Sequence, residues 1–528
     1  MSAWNIYFIA KFILYFGNFI DFHLLPNLLL AISVYFPLKA LRWRQARLIV
    51  AIPCAIALFY HDTWFPPVGR VLSQAGYMNS FSPAYMLELA GRLVNLNLLA
   101  VLITGALIYW IVRRWLRISA FVIATMVTIV PAWSLRDHLA ALATTHSARA
   151  GQATAVQTSD DNTPSASAAD SATIEAASKR FFTSEKNRVL ATPQANPSDV
   201  PFDIIVIQVC SLAWDDMKFV NLEQPALFGK FDLLFTQFSS GASYSGPAAI
   251  RLMRSSCGQM SHKDLYGATN PGCFLFQNLD QAGFPTQFAM NHDGHFGRFL
   301  DDLRQHGNLN ASPIEINDTS VYLKAFDDTP IRDDYAVLEK WWKSRLALPN
   351  PRVALYYNTI SLHDGNHYPG TSTGDSVKIY RPRLEKLLSD IDKFSHLVEA
   401  SGRNAALVFV PEHGAALRGD KMQISGLREI PAPSISLIPV GVRLLGKQVN
   451  HGSSPVLVDT PSSYLALAQL LYGMAAKSPF ADSVKISDYT HGLARTQFAS
   501  DNGGIMVFKY QGRYYLHNTG EDWQEYRQ

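Results

Sequence analysis

Asp203-Ile204-Ile205-Val206-Ile207-Gln208-Val209-Cys210 is the stretch on which the fold turns. The run from Ile204 to Val209 has no polar face, as expected of a strand buried on both sides inside a largely parallel sheet. Val353 to Tyr357, Ala405 to Val410 and Ser436 to Val442 repeat that pattern, while Val377 to Glu399 and Ser462 to Leu471 carry helical periodicity. Together they predict an α/β domain over residues 179–528, with a mixed or mostly parallel sheet covered by helices. In such sheets chemistry lies beyond the carboxyl ends of the strands. That rule selects Cys210, and Pro411-Glu412-His413-Gly414 after the run from Ala405 to Val410.

Working outward, only 17% of the 528 residues are charged, against about 25% in an average soluble protein. Part of the chain is therefore expected in a low-dielectric solvent. Trp4 to Phe22, Leu24 to Leu38, Leu48 to Phe65, Leu93 to Val112 and Ile118 to Trp133 are apolar stretches, each near the ~20 residues a bilayer-crossing helix needs. They predict an all-α membrane domain of five spans over residues 1–138, with Lys11 and Pro26 as irregularities. Lys39, Arg42, Arg44 and Arg47 follow the second stretch, and Arg113, Arg114 and Arg117 follow the fourth. This bias places the N-terminus in the cytoplasm and everything after Trp133 outside it. The segment from His61 to Arg92, with only Arg70 and Arg92, then faces outward too. Residues 139–178 are rich in Ala, Ser and Thr and read as an extracytoplasmic flexible linker. A net charge of +3 argues against a broad basic surface for nucleic acid.

A thiolate, a carboxylate and an imidazole are ligand types that zinc prefers, so Cys210, Glu412 and His413 form a candidate metal set. Ser243-Tyr244-Ser245-Gly246-Pro247 opens an amphipathic segment containing Arg251 and Arg254. Ser245 has two readings there: a nucleophile facing phosphate at a helix N-terminus, or a simple helix cap. The stretch Asn358 to His367 offers His363 and His367 for phosphate binding, proton relay or ligation, against the plainer role of solvated loop histidines. His292-Asp293-Gly294-His295 is equally ambiguous, and Arg428 is either a phosphate partner or a surface ion-pair residue. Cys54, in an apolar stretch, is expected to act as a small buried hydrophobe. Cys257 and Cys273 flank a loop rich in Gly and Asn that a disulfide could close in an oxidising compartment.

The stretches SYSGPAAIRLMRSSCGQ (243–259), SLHDGNHYP (361–369), PEHGAALRGD (411–420) and SGLREIPAP (425–433) closely resemble the phosphoethanolamine transferases of bacterial cellulose biosynthesis. The order of apolar stretches, linker and outer domain is similar as well. The resemblance implies an alkaline-phosphatase-like domain holding Zn2+ through Cys210, Glu412 and His413 together with the nucleophile Ser245, with Tyr244, His363 and Arg428 lining the site. Related lipid A enzymes usually have an acidic ligand and a Thr nucleophile where this chain has Cys210 and Ser245. The implied donor is phosphatidylethanolamine, the acceptor the 6-hydroxyl of glucose in nascent cellulose, and the partners cellulose synthase subunits at the bacterial inner membrane. Two rivals remain open from sequence: transfer to lipid A, another glycan or water, and a mainly structural subunit of the synthase.

Overall fold

The computed structural model describes residues 2–17, 20–63, 82–93, 96–112, 118–132, 170–371, 376–420, 422–446, 449, 451–482 and 484–526. The chain divides into two compact units, Met1–Leu72 with Ala90–Ser167, and Ser73–Leu89 with Ala168–Gln528. Arg70, Arg113, Arg114, Arg117 and linker residues 139–169 lie outside the described residues.

In the larger unit the strands, in chain order, are β1 (Asp203–Val209), β2 (Leu233–Ser239), β3 (Thr286–Met290), β4 (Val321–Lys324), β5 (Pro330–Arg332), β6 (Ala354–Thr359), β7 (Ala405–Pro411), β8 (Leu437–Leu445), β9 (Val456–Val458), β10 (Ala499–Asp501), β11 (Ile505–Tyr510), β12 (Arg513–Asn518) and β13 (Gln524–Glu525). A seven-stranded sheet runs β3-β6-β1-β7-β8-β2-β9. Its strands are parallel except β8, which is antiparallel to both β7 and β2. The sheet is therefore mixed. β1 is central because every one of its side chains is apolar or hydrogen-bonded and buried. Ile204 and Val206 pack into the layer of the helix Tyr464–Ala476, and Ile205, Ile207 and Val209 into that of the helices Asp334–Leu346 and Tyr380–Ser401. Each such buried side chain is worth about 1.5–3 kcal/mol. At the start of β1, Asp203 receives two hydrogen bonds from the fully buried guanidinium of Arg345, at 3.0 and 2.8 Å. That end is an ion-paired anchor; the Cys210 end is left for chemistry.

Two features of this unit differ from the sequence reading. The helix Ser171–Lys186 begins inside the expected linker, because Asp170 caps it and Ile174 and Phe181 bury against Phe508 and Trp523. A second sheet, β10-β11-β12-β13, follows the main one. Its tight hairpin turn uses Gln511 and Gly512, both at positive φ.

The smaller unit contains the helices Ser2–Phe16, Leu24–Tyr35, Leu41–Asp62, Leu96–Val112 and Ile118–Ala124, the last continuing as one π-helical segment. Among the described residues no helix is long and apolar enough to cross a membrane. The helix Leu41–Asp62 starts ahead of the expected apolar stretch and so includes Arg42, Arg44 and Arg47. Lys11 is fully buried, where it pairs with Asp62 and donates to Asn27 Oδ1 at 2.7 Å. Its charge is thus neutralised within the unit. Cys54 is exposed rather than buried. The helix Pro83–Leu93 lies where the sequence suggested an outward-facing segment.

Candidate active site and metal centre

Register brings the site together. Val209 is paired with Thr359 of β6 and with Pro411 of β7, so all three strands end at one level. Cys210 leaves β1 there with its N–H on Thr359 O at 2.9 Å, and Glu412 leaves β7 with its N–H on Val209 O at 2.8 Å. The third contributor comes from the helix Ser245–Met253. Tyr244, not Ser245, occupies its N-cap position. Ser245 is thus the first helical residue, and its Oγ lies 3.3 Å from Cys210 Sγ and 3.2 Å from His413 Nε2. The capping reading of Ser245 is replaced by one in which the hydroxyl faces the cluster.

Cys210, Glu412 and His413 are fully buried, and one ligand atom from each lies within 4.8 Å of the others. Glu412 Oε1 accepts from Asn358 Nδ2 at 2.7 Å, whereas Oε2 is buried without a hydrogen-bond partner. His413 Nδ1 lies 2.9 Å from Gly414 O, which places the proton on Nδ1 and leaves the Nε2 lone pair toward Ser245 and Cys210. Burial pushes the Cys210 thiol up to about 12, reinforced by the Glu412 charge and opposed by Arg428. Burial also raises Glu412, and it drives His413 well below the ordinary imidazole range, with Arg428 adding to the effect. A bare cluster of this kind strongly disfavours charge, and an orphaned carboxylate oxygen in it calls for a cation. The S, O and N donor set fits zinc.

Of the remaining expected residues, Arg428 lies 3.2 Å from His413 Nδ1 and donates to Ser211 Oγ at 3.3 Å. The Tyr244 hydroxyl donates to Glu429 at 2.7 Å, and its ring stacks under the Arg428 guanidinium at 5.4 Å. His363 is tied through Nδ1 to the Asp364 carbonyl at 2.7 Å and has no hydrogen bond to the cluster among the described residues. Burial, then the Arg428 charge, lower His363 to about 4, so it is neutral at pH 7. His292 lies at one remove, with Nε2 2.8 Å from Asn358 Oδ1 and so behind Glu412. Asp293 and His295 face each other at the surface, and His367 turns to Asp328 at 3.2 Å. Cys257 and Cys273 are joined as a disulfide with Cα atoms 4.9 Å apart, beneath the end of the serine's helix.

Sequence reasoning missed Asn358, Ser211 and Asp216 as site residues. Asn358 had a signal, a polar residue closing an apolar strand. Ser211, at φ 65, and Asp216 had none. Asp216 accepts from the backbone N–H groups of Ala213, Ala415 and Leu417 at 2.9, 2.7 and 3.2 Å, stapling the turn after Glu412-His413. Asp216→Ala would strand these buried donors, at roughly 1–3 kcal/mol for each group left unsatisfied. Chemical denaturation should show a loss on the order of 3 kcal/mol; an unchanged midpoint would contradict the staple.

Asp334 acts similarly behind His363. It accepts from Tyr357 at 2.6 Å and from Ser361 Oγ at 2.5 Å, and burial lifts it to about 6. A carboxyl that holds its proton more tightly folded than unfolded stabilises below its unfolded pKa and loses that contribution as pH rises through the folded value. Unfolding free energy should therefore fall between pH 4 and 7 by on the order of 2–3 kcal/mol from this group. Asp334→Asn should flatten that part of the profile.

Fold and site together define a mixed α/β domain in which a half-buried serine hydroxyl meets a buried Cys-Glu-His cluster, a candidate metal centre, at the carboxyl edge of the sheet, in a chain that also contains a separate helical unit. Comparison with known proteins agrees with this layout. The chain belongs to the family of the cellulose biosynthesis protein BcsG: residues 158–523 match the family's C-terminal domain and residues 4–131 its N-terminal domain. The cellulose biosynthesis protein BcsG of Salmonella typhimurium is 37% identical over 542 residues, covering 100% of this chain and 96% of that protein. Among solved structures, a protein in the alkaline phosphatase superfamily from Vibrio parahaemolyticus aligns with 15% identity and a TM-score of 0.45, covering 66% of this chain and 86% of the other. The integral membrane lipooligosaccharide phosphoethanolamine transferase A of Neisseria meningitidis aligns with 12% identity and a TM-score of 0.42, covering 91% and 97%.

Proposed function

We propose that the protein transfers phosphoethanolamine from phosphatidylethanolamine to the 6-hydroxyl of glucose units in nascent cellulose, through a covalent phosphoethanolamine-serine at Ser245. The observation that carries this reading is the Ser245 hydroxyl at the start of its helix, within 3.3 Å of Cys210 Sγ and 3.2 Å of His413 Nε2. Membership of a cellulose biosynthesis family supports the acceptor. The apolar N-terminal stretches support a multi-pass inner-membrane anchor with a cytoplasmic N-terminus, a linker and a periplasmic catalytic domain of the alkaline phosphatase superfamily. In that compartment the Cys257–Cys273 disulfide persists. Cellulose synthase subunits are the proposed partners.

Bound by Cys210, Glu412 and His413, zinc would lower the pKa of the Ser245 hydroxyl and offset charge on the phosphoryl oxygens. Ser245 Oγ forms a bond to phosphorus as the bond to the diacylglycerol oxygen breaks, and the proton lost by the serine ends on that oxygen, so that diacylglycerol leaves as the alcohol. Pro247 has no N–H and Ala248 donates its own to Tyr244 O at 3.1 Å, so in the first turn after Ser245 the Gly246 N–H is the one left for the phosphoryl group, and Arg428 adds positive charge nearby. Neutral His363, its Nδ1 proton committed to Asp364 O, has an Nε2 lone pair to take the proton of the incoming glucose hydroxyl. That hydroxyl attacks phosphorus, the bond to Ser245 breaks, and the proton taken up by His363 is returned to the serine oxygen, which restores both groups.

The test is incubation of the zinc-loaded full chain with phosphatidylethanolamine and a cello-oligosaccharide, read by mass spectrometry and phosphorus NMR. A phosphoethanolamine diester on C6 of glucose is expected. Release of free phosphoethanolamine with an unmodified sugar would instead mark a phosphodiesterase.

A further inference from the structure

Residues 82–88 belong to the compact unit that contains the catalytic sheet, although most of that unit begins at Ala168. Their contacts fall on the loop that carries His363. Ser82 N–H donates to Phe326 O at 3.1 Å. Tyr85, 7% exposed, donates its hydroxyl to Asp364 Oδ2 at 3.0 Å and sets its ring 5.8 Å from that of Phe326. The Phe326 ring in turn lies 5.3 Å from the His363 imidazole. Glu88 Oε1 accepts from Ser376 N at 3.0 Å and lies 2.9 Å from Ser376 Oγ, which is 2.5 Å from Asp364 Oδ1.

These contacts converge on the dipeptide Asp364-Gly365. Asp364 lends its carbonyl to His363 Nδ1 and its carboxylate to Tyr85 and Ser376. Gly365 sits at φ +78, and a Cβ there would meet the Tyr85 ring at 2.7 Å. The backbone is thus pressed against the tyrosine face in a conformation that glycine alone adopts cheaply. From the other side the buried guanidinium of Arg383 donates to the carbonyls of Ser361, His363 and Ser376 at 3.3, 2.9 and 3.1 Å. Arg383 holds the loop from within the domain; residues 82–88 hold its outer face.

We propose that Tyr85 and Glu88 are positioning residues of the active site, clamping Asp364 and through its carbonyl the ring of His363. An outer domain cut away from the N-terminal part of the chain lacks this clamp. The inference rests on the role given to His363 in the transfer reaction. A side chain that must accept a proton from an incoming hydroxyl has to be held within a fraction of an ångström, and a loosened support costs turnover rather than binding.

The experiment uses the full-length protein in detergent and the conservative variants Tyr85→Phe and Glu88→Gln, which remove hydrogen-bonding capacity but little volume. Amide hydrogen exchange is followed at residues 361–371 together with kcat, KM for phosphatidylethanolamine and zinc content. Faster exchange confined to residues 361–371 is expected, with kcat down roughly tenfold, KM within twofold and zinc unchanged. Restoring the hydroxyl in Tyr85→Phe should return both readouts. Unaltered exchange in both variants, or a raised KM with normal kcat, overturns the proposal. Ser245→Ala is run alongside: if that variant transfers at the wild-type rate, the serine mechanism is wrong, while the exchange result still decides the clamp.

Discussion

Ser245→Ala is expected to bind zinc and keep its fold while losing phosphoethanolamine transfer by at least about 10³-fold, the scale on which removing an enzyme nucleophile acts. The variant should gain no phosphoethanolamine-sized mass on the peptide containing position 245, whereas the wild type does. Retention of the fold follows from position. Ser245 is the first residue of its helix and does not cap it, so the change removes one half-buried hydroxyl and no structural acceptor. Retention of metal follows from the three other donors. Transfer close to the wild-type rate would remove the covalent mechanism and leave Ser245 as no more than a neighbour of the metal ligands.

The second large effect is the dependence of stability on the metal. Zinc at a thousand times its dissociation constant should add about 4 kcal/mol to the folded state, seen as a rise in Tm of about 5–10 °C. Glu412→Gln should abolish that rise and, in the absence of metal, leave the protein slightly more stable than wild type. The reason for the opposite signs is Glu412 Oε2, a buried oxygen without a partner. An uncompensated carboxylate costs free energy in a buried site, and a neutral amide of the same shape does not carry that penalty. Magnesium should not substitute, because it prefers oxygen ligands to a thiolate and an imidazole. No zinc by elemental analysis and a Tm unaffected by added zinc or chelator would refute the metal centre.

The strands that build the site were legible because β1, β6 and β7 are apolar on both faces, and only an inner strand can bury such a sequence. β2 and β3 escaped notice because they expose residues such as Gln237 and leave Thr286 and Gln287 partly covered, so their patterns are diluted. The β11–β12 hairpin did carry a local signal, the Gln511-Gly512 turn between half-apolar runs, that reading for turns would have caught.

By itself the sequence determined which segments could form the centre of the sheet and therefore that Cys210, Glu412 and His413 stand at its carboxyl edge, since these follow from burial patterns within a few residues. Only the tertiary structure decided that Ser245 faces Cys210 and His413 rather than capping its helix, that Asp216 staples the turn after His413, and that Tyr85 reaches Asp364. Each is a contact between residues far apart in the chain, and its energy depends on distance, desolvation and the orientation of a second group that no local pattern encodes.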